Sequence, residues 1–173
     1  CTYLPSAVKF ATDTCKIGDT IYAACFNHVT GATWVYESED SGASWSLTKE
    51  ILGSSSGRTH PYIDTDGTDL YISYKITAGG AGFKKYVIGT DTLGSEKSIT
   101  SDALTDPKIL YVSGSLLLCF YSLQASPTVR CYESTDDGDT WSLRSTPESG
   151  GSHSIEDQDA IIAGNGDILL TWE

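Results

Sequence analysis

One pattern of residues occurs twice in this chain. Ser38, Asp40, Gly42, Ser44 and Trp45 are spaced as Ser134, Asp136, Gly138, Thr140 and Trp141, and the flanks agree as well, Tyr36-Glu37 with Tyr132-Glu133 and Ser46-Leu47 with Ser142-Leu143. The two Trp lie 96 residues apart, or two periods of about 48. A degenerate copy stands between them at residues 86–94, where Asp91 and Gly94 remain and the Trp is lost. A fixed period of this length marks a supersecondary unit that cannot bury its apolar surface alone and must stack against its neighbours.

The unit is built of strands. No window longer than ten residues holds apolar positions at helical spacing, whereas two-residue alternation is frequent. Thirteen strand candidates stand between Gly, Asp, Asn and Ser turns: 7–12, 20–26, 33–37, 44–49, 61–64, 69–75, 84–88, 108–112, 115–122, 128–133, 140–144, 160–163 and 167–172. Grouped by the repeat they read as strand 1, turn, strand 2, loop, strand 3, Asp-Gly turn, strand 4. The expected fold is an all-β propeller of four-stranded antiparallel blades, with about three and a half blades present. Blade 1 spans 4–52, blade 2 58–100 and blade 3 105–147, and the first two strands of blade 4 span 156–173.

The repeated pattern resembles the Asp-box, the bacterial neuraminidase repeat of sialidase-like β-propellers. Two copies in phase and a decayed third carry the resemblance. Its physics is structural: the Asp carboxylate accepts N–H groups of a tight turn, the Gly supplies positive φ, and the Trp fills space between sheets. Ser38, Asp40, Gly42, Trp45, Ser134, Asp136, Gly138 and Trp141 are therefore read as fold residues. The resemblance places such boxes on the hairpin of strands 3 and 4, away from the active-site face. It also implies three Arg on a substrate carboxylate, a Tyr nucleophile with its Glu, and an Asp acid/base. This chain has three Arg in all, of which Arg58 fits that face while Arg130 falls in a third strand and Arg144 in a fourth. Sialidase catalysis is not expected of it.

Composition narrows the partners. Eleven Lys plus Arg against 23 Asp plus Glu leave a net charge of −12, which repels phosphate backbones and anionic lipid heads. No nucleic acid and no membrane span are expected, and the densest apolar run, 109–121, is broken by Ser113, Gly114 and Ser115. The chain contains no Met and begins with Cys1, which reads as a processed or partial chain. Five Cys in an acidic chain favour a secreted, extracellular protein, and Cys1 also fits a bacterial lipid anchor.

Ligand groups are sought in the loops that enter each first strand, because these share one face around the propeller axis. They bring Arg58, His60, Asp106, Glu156 and Asp159 together as expected carbohydrate-binding residues. A glycosidase needs two carboxylates astride the scissile bond, and Asp106 with Glu156 or Asp157 supplies the candidates. No cofactor is expected. No metal is expected either: His28 and His153 lack partners at ligand spacing, and Asp64, Asp66 and Asp69 form a turn around Gly67 without the closing Glu of a calcium loop.

Cys119 and Cys131 flank one hairpin symmetrically, so a disulfide across it and two buried thiols are both open. Cys25 reads as core, and Cys1 and Cys15, on either side of the first strand, are free to pair. An open stack of blades exposes apolar faces, to be covered by the remainder of a propeller or by self-association. The functional expectation is an extracellular glycan-recognising propeller module. The alternatives are a structural or adhesive subunit of an extracellular or virion assembly, completed by its neighbours, and a fragment of a glycoside hydrolase.

Overall fold

The second strands of the first three units are apolar at consecutive positions, and the reason is burial on both faces. Leu117, Cys119 and Tyr121 point one way into a cluster with Tyr71, Phe83 and Ile99. Leu118 and Phe120, the intervening residues, point the other way and pack with Leu110, Cys131 and Ala160. Alternation thus survives as alternation between two interfaces rather than between core and solvent.

A computed structural model describes residues 10–27, 29–53, 58–76, 79–102, 104–114, 116–123, 126–149 and 159–171. The first sheet runs β1 (Phe10–Ile17), β2 (Thr20–Phe26), β3 (Thr33–Ser38) and β4 (Ser46–Leu52), antiparallel and in chain order. The second holds β5 (Arg58–Thr65), β6 (Leu70–Ile76) and β7 (Ala81–Val87). A short 3-10 turn then leads to β8 (Thr92–Leu93) and β9 (Lys97–Thr100), both paired to β7. The third runs β10 (Leu104–Ser113), β11 (Leu116–Leu123), β12 (Ser126–Ser134) and β13 (Ser142–Ser149), and β14 (Asp159–Ile162) pairs with β15 (Ile168–Thr171) in the fourth. The first strands β1, β5, β10 and β14 adjoin one another in that order, so the sheets radiate from a common axis as the blades of a β-propeller. Residues of blade 1 (Tyr22, Ala24, Val35, Ile51) pack on blade 2 (Ile63, Leu70, Ile72, Tyr74) in a core of their own.

Several strand readings shift. The first strand runs on to Ile17 rather than ending at 12, so Cys15 lies within it, and positions 7–9 of the expected strand lie outside the described residues. The third strand of blade 2 is Ala81–Val87 rather than 84–88, and its fourth place, where no strand was read, is shared by β8 and β9. That blade is the one whose repeat is degenerate. In place of the serines of the other two copies stands Tyr86, whose hydroxyl donates to Asp91.

The cysteine question is settled by register. Cys131 pairs with Phe120, not with Cys119, so the two side chains leave opposite faces of the sheet. Cys119 faces blade 2 and Cys131 faces blade 4, and no disulfide joins them. Burial pushes the Cys25 and Cys131 thiols up to about 12, which makes them core groups rather than nucleophiles. Cys15 carries a free thiol, and Cys1 lies outside the described residues.

Both repeated hairpins close in the same way. Asp40 accepts the backbone N–H and hydroxyl of Ser44 and the hydroxyl of Ser38, while Ser38 Oγ accepts the N–H of Gly42. Asp136, Thr140, Ser134 and Gly138 repeat this set. Trp141 sits half-buried, edge-on to Phe83 of blade 2 with ring centroids 5.5 Å apart.

Candidate functional site

The first strands of blades 2 and 3 carry the same irregularity near their starts. Register slips between Thr59 and Tyr62 in β5 and between Thr105 and Lys108 in β10, and each slip contains an X-Pro step, His60-Pro61 and Asp106-Pro107. Pro cannot donate to a sheet ladder, and its ring constrains the residue before it, so a bulge is the natural place for it. The cost is visible in the backbone: His60 has φ 49° and Asp106 φ 26°, a region that favours glycine. The sequence pattern places both positions in loops entering the strands, whereas they lie inside β5 and β10.

The two bulges turn their side chains toward each other. His60 Nδ1 is in hydrogen-bond contact with Asp106 Oδ1 across the junction of blades 2 and 3. The His60 side chain is 51% exposed and that of Asp106 14%. Burial opposes the charge on Asp106, but the hydrogen bond and charge of His60, with the charge of Lys75, outweigh it and hold the carboxyl below its ordinary range. Ionised Asp106 therefore accepts from the Nδ1–H and fixes the imidazole, the arrangement that orients a histidine toward a ligand.

A second group stands at the same junction. Tyr121 lies across β11 from the bulge at Asp106, between the partners of Thr105 and Lys108, and Arg130 pairs with Tyr121 on β12. Two strand spacings put Arg130 roughly 10 Å from the bulge. Asp102, in the segment that enters β10, accepts from Tyr121 Oη at 2.7 Å and from Arg130 Nη1 at 2.6 Å. The Tyr121 hydrogen bond, backed by the Arg130 charge, keeps the Asp102 carboxyl low against the effect of burial.

Further along the first strands, charged side chains of several blades meet. Asp13, Tyr62 and Lys108 are each the first paired residue past the slip in β1, β5 and β10, so the blades bring them to one level. Lys108 Nζ lies 2.9 Å from Asp13, 3.2 Å from Asp159 and 5.5 Å from the centre of the Tyr62 ring. Asp64 and Lys108 line a cavity of about 310 Å3 beside this cluster. Burial raises the Asp64 carboxyl, although it accepts the N–H groups of Tyr111 and Thr65.

Of the residues expected to bind ligand, the structure brings His60 and Asp106 into contact and places Asp159 at the axis on Lys108. Arg58 opens β5, and Glu156 and Asp157, like His28 and His153, lie outside the described residues. Asp66 forms the expected turn, accepting the N–H groups of Thr68 and Asp69. Sequence reasoning missed Asp102, Tyr121, Lys108 and Asp13, and it set Arg130 aside as a strand residue. It is one, but its side chain reaches the junction. The available signal was the pair of X-Pro steps 46 residues apart, close to the blade period of about 48, which marks equivalent positions.

No protein-family model and no curated protein sequence matches the chain. Solved structures do. The chain is similar to the α-L-arabinanase of Penicillium chrysogenum, solved with arabinobiose, at 14% identity and a TM-score of 0.70. That match covers 99% of this chain and 59% of the arabinanase, so the chain spans little more than half of it. A GH43 endo-arabinanase of Bacillus licheniformis matches at 17% identity and a TM-score of 0.60, over 92% of this chain and 71% of the enzyme. A sialidase of Trypanosoma rangeli matches at 13% identity and a TM-score of 0.63, over 96% and 34%. At these identities the likeness is one of fold, the β-propeller.

Proposed function

We propose that the chain is an extracellular glycan-recognising propeller module of the Asp-box, sialidase-like kind, without sialidase catalysis, and that it holds its ligand at the junction of blades 2 and 3. The observation that carries this reading is the contact of His60 and Asp106 from two equivalent bulges, each at positive φ. Strained backbone held in place on adjacent blades, with polar side chains converging at the opening of the axis, is where a propeller offers a ligand site. Carboxylate, imidazole and guanidinium groups suit sugar hydroxyls, and the similar structures include an arabinanase solved with arabinobiose. A glycan array on the purified chain tests the reading. Binding is expected to at least one glycan and to fall at least 10-fold in both His60→Ala and Asp106→Ala; uniform non-binding sinks it.

A glycoside hydrolase fragment is the second reading, favoured by Asp106, an ionised carboxylate at that opening, and by glycosidases among the similar structures. Its expected sign is turnover of aryl glycosides that disappears in Asp106→Asn or Glu156→Gln. An assembly completed by its neighbours is the third. Ile161 and Leu169 pair across β14 and β15 and are 54% and 52% exposed, an apolar face of the kind that a further blade or a second copy covers. Light scattering that returns a single-chain mass across the micromolar range removes the second-copy form of this reading.

A further inference from the structure

The charge balance at the junction of blades 2 and 3 defines what kind of sugar fits there. We infer that the site selects neutral over carboxylated glycans and that Asp102 is the residue that sets this selectivity. The inference rests on the glycan reading above and goes beyond it, because that reading leaves the sugar open.

The cationic groups of the described junction face carboxylates of the chain itself. Arg130 gives Nη1 to Asp102 at 2.6 Å, His60 contacts Asp106, and Lys75 adds its charge to the same Asp106. At the axis, Lys108 lies between Asp13 and Asp159. A sugar carboxylate entering this surface meets Asp102 and Asp106, and the Nη1 of Arg130 that would attract it is already given to Asp102. Asp102 is held firmly, since Tyr121 Oη donates to the same oxygen at 2.7 Å. Like charges brought together without a compensating cation disfavour the complex, which is discrimination by repulsion. A neutral sugar meets no such repulsion, because its hydroxyls can donate to Asp106 and Asp102 and accept from Arg130.

The Asp102→Asn substitution preserves size and an acceptor for Tyr121 while removing the charge. Tetrasaccharides of matched length are the probes: neutral ones derived from arabinan, xylan, galactan and glucan, and acidic ones from oligogalacturonate and sialylated glycans. The native chain is expected to bind at least one neutral probe about 10-fold more tightly than any acidic one. Asp102→Asn is expected to close about 10-fold of that gap through tighter acidic binding, and Asp102→Asn with Arg130→Gln to reopen it. A second reading of the same effect needs only the native protein: added salt is expected to tighten acidic binding and leave neutral binding unchanged, since screening weakens the repulsion. Acidic probes that bind the native chain as tightly as neutral ones overturn the selectivity and leave the glycan reading standing. An Asp102→Asn variant with an unchanged ratio overturns the role of Asp102. Failure of every probe to bind overturns the glycan reading, and the selectivity falls with it.

Discussion

Two residues at positive φ hold the candidate site, and each is replaceable in a way that separates backbone from side chain. His60→Ala and His60→Gly both remove the imidazole, but only Ala keeps a Cβ at φ 49°. The Gly variant is expected to be more stable than the Ala variant by about 1 kcal/mol, measured by urea denaturation, while both lose glycan binding alike. Equal stability of the two would show that the backbone is not strained there. Gly82 is the opposite case, a residue that must lack a side chain because of a neighbour. A Cβ at this position would overlap the ring of Tyr74, with Cζ only 2.8 Å away. Tyr74 is fully buried and anchored to Glu96 by a 2.9 Å hydrogen bond, so the ring has nowhere to go. Gly82→Ala is expected to cost about 1–3 kcal/mol, read as a lower urea midpoint with unchanged slope.

Among the elements, the repeated hairpins make a prediction about acid. Hydrogen bonds from Ser44, and then from Ser38, bring the Asp40 carboxyl down to about 2, and those from Thr140 and Ser134 do the same for Asp136. A carboxyl that is more acidic folded than unfolded contributes stability above its unfolded value, near 4, and loses it as the pH falls toward 2. Asp64, raised by burial, titrates with the opposite sign. The informative measurement is therefore the difference between the native chain and Asp40→Asn with Asp136→Asn. The gap in thermal midpoint is expected to be full at pH 5 and to shrink between pH 4 and 2; a gap independent of pH would contradict it. The two hairpins are not equal in packing. Trp141 sits edge-on to Phe83 of the neighbouring blade and gives its indole N–H to Gly138, while among the described residues Trp45 packs against the blade 1 cluster of Ala23, Cys25 and Tyr36. Trp141→Ala is expected to destabilise more than Trp45→Ala in the same denaturation assay.

At the scale of the whole molecule, Lys108 is the tie that crosses the axis, joining strands of blades 1, 3 and 4 through Asp13 and Asp159. Both Lys108 and Asp13 are largely buried, so Lys108→Met leaves a carboxylate in a poor dielectric without its cation. The expected loss is about 3 kcal/mol, and adding Asp13→Asn is expected to recover much of it, because removing both charges is milder than orphaning one. If the single variant costs less than the double, the tie is not the source of the stability. Blade contacts repeat the device nearer the rim: Lys49 pairs with Asp91 at 2.7 Å between blades 1 and 2, and Lys85 with Asp137 at 2.6 Å between blades 2 and 3.

The period of 48, the strand alternation and the Asp-Gly turns were legible without coordinates, because backbone geometry and burial impose them within each blade. His60 and Asp106 could be placed on one face by counting strands, since equivalent positions of a repeat occupy equivalent positions in space. The degenerate fourth strand of blade 2 was not legible, for β8 and β9 are too short to carry a periodic signal. Nor was the fate of the cysteines, which a shift of one residue in register sends to opposite faces. The contacts of Arg130 with Asp102 and of Lys108 with Asp13 join residues 28 and 95 positions apart. Alternation within a strand reports burial but not partners. The order of blades and the arc by which their first strands meet at the axis are decided only when the sheets pack.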